Sequence, residues 1–260
     1  MLQTRSKYFR FACCDRLEAL SASHHKTSFP FHFHSTFNLS LVFKGSFNTQ
    51  LTSRFIKSPS GSLLITNPGE IHANPCSKVD ALSFFTFYIS QEFMEYCHEH
   101  KTVFFPQNTI DHPGLFSSFH ELSQRLRENG ETNIERAFIK TLKRLIESHA
   151  GSHEETNHKK QIIFQHFLEE ENFEKFSLDD TAKRFGMDKF KFIRLFKYQT
   201  GLTPNNYFIY RRIEKSKVML EAGKDLLSIA VELGFYDAAH YCHHFKKFTG
   251  ISPLAFVAGS

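Results

Sequence analysis

Two short stretches concentrate the side chains that can do chemistry. Residues 240–250 read HYCHHFKKFTG and place His240, Cys242, His243 and His244 within five positions. Imidazole and thiolate hold transition metals, imidazole moves protons near neutral pH, and lysine grips phosphate. On a helix, His240 and His244 stand one turn apart and can share one ion. Residues 30–45 read PFHFHSTFNLSLVFKG. One residue separates His32 from His34, so a strand turns both rings to the same side. His72 follows a turn made by Pro68, Gly69 and Glu70. His32, His34 and His72 are three imidazoles, a ligand type that suits Zn²⁺ or Fe²⁺. The sequence has no nucleophile elbow, phosphate loop or CxxC pair, so it predicts no catalytic residue, no cofactor and no enzyme.

The elements that must carry these groups fall into two kinds. FNLSLVF (37–43), SFNTQL (46–51), LLIT (63–66) and LSFFTFYI (82–89) are short and rich in aromatic and branched residues, with Gly45, SPSG (58–61) and NPGE (67–70) between them. Short strands at near-regular spacing predict an antiparallel barrel or sandwich. LFSSFHELSQRL (115–126) and IERAFIKTLKRLIESH (134–149) then show apolar residues three and four apart, as amphipathic helices do. AGSHEETNHKK (150–160) has no apolar residue after Ala150 and reads as a linker. Every later segment reads as helix, beginning with QIIFQHFLEEE. Ser177 with Asp180 makes a capping box, and Pro204 and Gly223 bracket a long helix.

The helical tail contains one unit twice. RLFKYQTGLTP (194–204) aligns with HHFKKFTGISP (243–253) without gaps, and TAKRFG (181–186) is echoed by IAVELGF (229–235). In each copy a short helix ends at a glycine and a second helix follows, which is helix-turn-helix grammar. Phe192, Leu195, Phe196 and Gln199 share the inner face of the first copy's second helix. Its outer face carries Phe190, Ile193, Arg194 and Lys197. Two large apolar groups beside two cations suit a DNA major groove, where Arg pairs with guanine and apolar groups meet thymine methyls. In the second copy Tyr241, Phe245 and Phe248 face inward, while Ala239, Cys242, His243 and Lys246 face out, with Asp237 as N-cap. Lys189, Lys191, Tyr198, Arg211, Arg212, Lys246 and Lys247 are placed to hold phosphates. The linking helix (about 205–221) spans roughly 25 Å, enough to hold two reading helices about one DNA turn apart.

The charge distribution agrees. The formal net charge is +5, yet residues 175–260 hold 14 Lys/Arg against 8 Asp/Glu, and the remainder 18 against 19. A basic tail on a neutral body points to a polyanion partner. The five cysteines form an odd, scattered set, the N-terminal stretch lacks the apolar run of a secretory signal, and no apolar run approaches a bilayer span. These features predict a cytoplasmic chain without a disulfide framework and without a membrane partner.

With these motifs in place, the chain resembles the AraC type of transcription regulator. SLDDTAKRFGMDKFKFIRLFKYQTGLTP and the later SIAVELGFYDAAHYCHHFKKFTGISPLAF carry the likeness, over about residues 160–257. The resemblance implies two helix-turn-helix units on one linking helix and asymmetric DNA half-sites. By position, Phe190, Ile193 and Arg194 read bases from the first helix, and Ala239, Cys242 and His243 from the second. Members usually carry Arg where His243 stands and a polar residue where Cys242 stands. The first copy is thus expected to discriminate bases and the second to act more through phosphates and shape. The H-x-H strand and the PGE turn before His72 resemble the cupin barrel and the effector-binding, dimerisation domain of the same regulators. That implies a small-molecule effector pocket with His34, Asn38, Phe43 and His72, a homodimer built on helices 115–149, and activation through RNA polymerase.

The expected architecture is an α+β chain of two domains. Residues 1–150 form a cupin-like antiparallel β-barrel (about 28–92) plus helices (about 93–150), 151–159 a linker, and 160–260 an all-α double helix-turn-helix domain. The expected function is sequence-specific, effector-controlled transcription regulation. A metal-dependent cupin enzyme with a DNA-binding tail and an effector-free dimeric regulator are the alternatives.

Overall fold

A computed structural model describes residues 5–76, 81–128, 134–151 and 176–259. The expected linker 151–159 and the helix expected from Gln161 lie, apart from residue 151, outside these residues. The described residues form two compact units: 5–28, 33–151 and 258–259 in the first, 29–32 and 176–257 in the second.

The first unit is built on two antiparallel sheets. Its strands are β1 (Arg5–Arg10), β2 (Glu18–His25), β4 (Phe37–Lys44), β5 (Ser46–Leu51), β6 (Phe55–Pro59), β7 (Leu63–Thr66), β8 (His72–Asn74), β9 (Leu82–Ile89) and β10 (Thr109–Ile110); β3 (Phe29–His32) groups with the second unit. The larger sheet runs β1-β2-β9-β4-β7-β10, and in the smaller one β5 lies between β8 and β6. A cupin-like arrangement results, and among the described residues the strands form two sheets that do not close into one ring. β8 and β10 are three and two residues long, too short to supply the ladder that closure needs. The strands expected at 37–43, 46–51, 63–66 and 82–89 are β4, β5, β7 and β9. β2, EALSASHH, is a full strand despite its Ala, Ser and His composition, because β1 and β9 pair with it on either side.

β4 and β9 pair at the centre in a register that sorts their side chains. Phe37, Leu39 and Leu41 lie opposite Ile89, Phe87 and Phe85. This face is covered by α2 (Pro113–Glu128) and α3 (Ile134–His149), which bury Leu115, Phe119, Leu122, Phe138, Leu142 and Leu145 against it; α1 (Gln91–Cys97) adds Phe93 and Met94. The apolar stripes of 115–149 are thus used to cover the sheet. The other face presents Asn38, Ser40 and Val42 opposite Tyr88, Thr86 and Phe84.

The second unit is helical: α4 (Leu178–Arg184), α5 (Lys189–Thr200), α6 (Pro204–Glu221), α7 (Leu226–Glu232), α8 (Ala238–Thr249) and α9 (Pro253–Val257). The repeat seen in the sequence is a repeat of hydrogen bonds. Asp188 caps α5 at the Phe190 and Lys191 N–H groups, and Asp237 caps α8 at His240 N–H. Ser177 and Asp225 cap α4 and α7. Thr200 Oγ1 bonds the carbonyls of Phe196 and Leu202 at 2.8 and 3.1 Å; Thr249 Oγ1 bonds those of Phe245 and Ile251 at 2.8 and 3.0 Å. Gly201 and Gly250 end the two helices with φ of 71° and 79°, a left-handed conformation that glycine adopts without steric cost. The shared Thr-Gly is therefore a helix stop, not a ligand site.

Candidate nucleic-acid interface and ligand chamber

Each reading helix is anchored by aromatic rings on one side and open on the other. In α5, Phe192 and Phe196 are fully buried and pack on Phe185, Tyr207 and Phe208. Leu195 and Gln199 are half-buried. In α8, Tyr241, Phe245 and Phe248 are buried, against Phe235, Phe256 and Tyr210. This fixes the opposite faces outward. Phe190 is 65% exposed, Arg194 and Lys197 are exposed, and Ile193 is half-buried. On α8, Ala239, His243 and Lys246 are exposed and Cys242 is half-buried. The Phe190 ring stands open to water, with Lys189 Nζ 5.5 Å from its centroid. Together with cations at one- and two-turn spacing it forms a surface suited to base edges and phosphates.

The expected phosphate contacts divide into two groups. Lys189, Lys191, Tyr198, Lys246 and Lys247 are exposed. Arg211 and Arg212, on the linking helix, are half-buried and engaged within the unit. Arg211 Nη1 donates to Tyr207 Oη at 3.2 Å and its guanidinium lies 6.0 Å from that ring. Arg212 Nη1 donates to the Gly234 carbonyl at 3.0 Å and lies 5.9 Å from the Phe235 ring. Arg212 thus ties the linking helix to the turn of the second copy, a role that a count of basic residues could not foresee.

The polar face of the large sheet carries the second site. His34 and His72 come together, with ring centroids 5.5 Å apart and one nitrogen of each within 4.8 Å of the other. Tyr88 lies 5.7 Å from His34. His72 is buried, and its Nδ1–H donates to the Glu70 carbonyl at 2.7 Å, so Nε2 is the nitrogen it can offer a ligand. Burial pushes its pKa down to about 4, only partly offset by that bond, so the ring is neutral at pH 7. Asn38 is buried and accepts from Thr36 Oγ1 at 2.9 Å. Ser40 and Thr86 join their hydroxyls at 2.7 Å on the same face, and Phe84 meets Phe47 of the smaller sheet and the buried His25. His32 bonds in the same way: its Nδ1–H donates to the Pro30 carbonyl at 2.7 Å, which leaves Nε2 for a ligand, and its ring lies 6.4 Å from Tyr210.

Phe43 is not part of this group. It lies on the opposite face of β4, with ring centroids 5.0 Å from His120 and 6.1 Å from Phe116 of α2. The reason is the two-residue alternation of a strand, which separates residue 43 from residue 38. Ser40, Thr86, Tyr88 and His25 were missed. The signal for the first three was present in FNLSLVF and LSFFTFYI, where polar side chains recur at every second position of otherwise apolar strands. On the helix-covered side, near Phe116, an open cleft of about 390 Å³ is lined by Ser60, Ser62, Thr109, Asp111 and Ser117 among others.

Comparison with known proteins joins the two sites in one family. A helix-turn-helix domain model matches residues 181–259, and an AraC-like ligand binding domain model matches residues 16–142. The chain belongs to the AraC type of transcription regulator. An uncharacterized HTH-type transcriptional regulator of Bacillus subtilis, YbfI, is 28% identical over 82% of this chain and 81% of its own length. The HTH-type transcriptional activator RhaS of Mannheimia succiniciproducens is 33% identical over 32% of each chain. The crystal structure of an apo ToxT variant from Vibrio cholerae covers 99% of this chain and 98% of its own, with a TM-score of 0.53 at 10% identity, a likeness of fold. This AraC-type chain is thus a DNA-binding transcription regulator with an N-terminal ligand-binding domain. No helix among the described residues is long and apolar enough to cross a membrane.

Proposed function

We propose that this AraC-type chain is a cytoplasmic homodimer whose sequence-specific DNA binding answers to a small molecule held on the polar face of the large sheet. One observation carries the reading. Buried polar groups (Asn38, Ser40, Thr86) share one sheet face with Phe84 and Tyr88, and His34 and His72 stand beside Tyr88, the mix of aromatic walls and few polar groups that small-molecule sites use. His34, Asn38 and His72 contact the effector; Phe43 does not. Phe190, Ile193, Arg194 and Lys197 read bases from α5. Ala239, Cys242 and His243 face the second half-site from α8, where grip outweighs discrimination. Lys189, Lys191, Tyr198, Lys246 and Lys247 hold phosphates. The segment 151–159 links the halves, and contact with RNA polymerase turns binding into activation.

Mapping the DNA bound in cells, then shifting the recovered site in a gel, tests the regulator reading. Equal binding to unrelated DNA would count against it. A metabolite screen by thermal shift tests the chamber; a ligand whose effect persists in Asn38→Ala and Tyr88→Phe would be bound elsewhere. The His34–His72 pair keeps a metal-dependent reading in play. Stoichiometric Fe or Zn in tag-free protein, lost on His34→Ala, would favour that reading.

A further inference from the structure

The reading helix α8 carries a pair of imidazoles that base recognition leaves unused. His240 and His244 stand one turn apart, with Nε2 to Nε2 3.0 Å and ring centroids 4.6 Å. His240 is exposed and His244 half-buried. Their partners fix the protons. The Tyr236 backbone N–H donates to His240 Nδ1 at 3.3 Å, so that nitrogen is the acceptor and the ring's proton sits on Nε2. This Nε2–H points at His244 Nε2, which accepts it. His244 therefore carries its own proton on Nδ1, a buried atom with no hydrogen-bond partner. One proton lies between two nitrogen lone pairs.

We propose that His240 and His244 chelate one borderline divalent transition-metal ion, of the Zn²⁺, Ni²⁺ or Cu²⁺ class, through their Nε2 atoms. Metal–imidazole bonds of about 2.0–2.1 Å set two neighbouring nitrogens about 2.9 Å apart at a right angle and about 3.3 Å apart in a tetrahedron. The observed 3.0 Å falls between these values. His244 already holds the tautomer that presents Nε2. His240 shifts its proton from Nε2 to Nδ1 and gives up the contact from Tyr236 N–H, so no proton is released. The ion takes the His244 Nε2 lone pair that accepts the bond from His240. The Lys247 charge opposes the ion and water completes its coordination, so the site binds modestly. It is a property of the second copy alone, because Lys191 and Leu195 occupy the matching positions of the first. A bound ion pins the turn 240–244 and adds positive charge beside the exposed His243.

The test is calorimetric titration of Ni²⁺ into the full-length, tag-free chain, with the melting temperature as a second readout and Zn²⁺ as competitor. His240→Gln and His244→Gln should each weaken one equivalent by at least about tenfold and remove its share of the Ni²⁺-dependent stabilisation. Equivalents bound elsewhere, such as at His34 and His72, should be unchanged. If His244→Gln disturbs folding, His240→Gln at its exposed position decides alone. Identical stoichiometry and affinity in wild type and His240→Gln would overturn the proposal, as would failure of the wild type to bind Ni²⁺.

Discussion

The salt dependence of DNA binding measures which cations reach phosphate. Four lysines, Lys189, Lys191, Lys246 and Lys247, are exposed on the two reading helices. Arg211 and Arg212 are engaged with Tyr207 and with Gly234 and Phe235. Each neutralised phosphate adds about 0.9 to the slope of log K against log salt, so per bound chain four lysines give about −3.6, and including both arginines would give about −5.4. Between 50 and 200 mM salt the first case loses about 150-fold in affinity per bound chain and the second about 1,800-fold. Fluorescence anisotropy on a mapped operator separates them. Lys191→Ala should lower the slope by about 0.9 for every sequence alike. Arg212→Ala should leave the slope nearly unchanged while lowering stability by about 1 kcal/mol or more, since it removes a charged hydrogen bond to a carbonyl. A full unit of slope lost in Arg212→Ala with stability intact would refute this division of the cations.

Three further outcomes are expected. Arg194→Ala should cost about 1–3 kcal/mol at one base pair and relax preference there, whereas preference retained at every position of the operator in a binding-site selection would remove Arg194 from base reading. Gly250→Ala forces a side chain into a left-handed conformation and should cost about 1–2 kcal/mol in chemical denaturation, as should Gly201→Ala; a neutral result in either would contradict the shared helix stop. Because the folded His72 pKa is about 4 against 6.5 for an ordinary histidine, the unfolded chain binds the extra proton between these values. Its contribution to stability, about 3 kcal/mol, is complete above pH 6.5 and is lost as pH falls toward 4. Unfolding of His72→Asn should show a flatter pH dependence in that window, and an unchanged profile would mean that another group titrates there.

Much of the second unit was legible in the sequence because its information is local. Helix caps, a Thr-Gly stop and apolar residues three and four apart act within a few residues, so two copies of the same words make two copies of the same bonds. Asp237 as N-cap and Tyr241, Phe245 and Phe248 as anchors follow from spacing alone. The linking helix was legible too, from Pro204 and Gly223. Arg212 was not, because its partner, the Gly234 carbonyl, is 22 positions away and no local pattern announces it.

The sheets divide differently. Strand existence was readable from β-branched and aromatic runs, and the sidedness of β4 from alternation, which would have set Phe43 apart from Asn38. The company of Asn38 was not readable. Register is set by pairing between strands about 50 residues apart in the chain, and only that pairing puts Tyr88 beside Asn38 and Thr86 beside Ser40. His72 of β8 and His34, in the segment leading into β4, met for the same reason. The sequence by itself determined the repeated DNA-reading unit, the outward faces of its helices and the presence of a strand-rich domain. Tertiary structure alone decided which polar groups share one sheet face, which arginines are engaged within the helical unit, and whether the described sheets close into a ring, since each depends on long-range contacts that local side-chain chemistry does not encode.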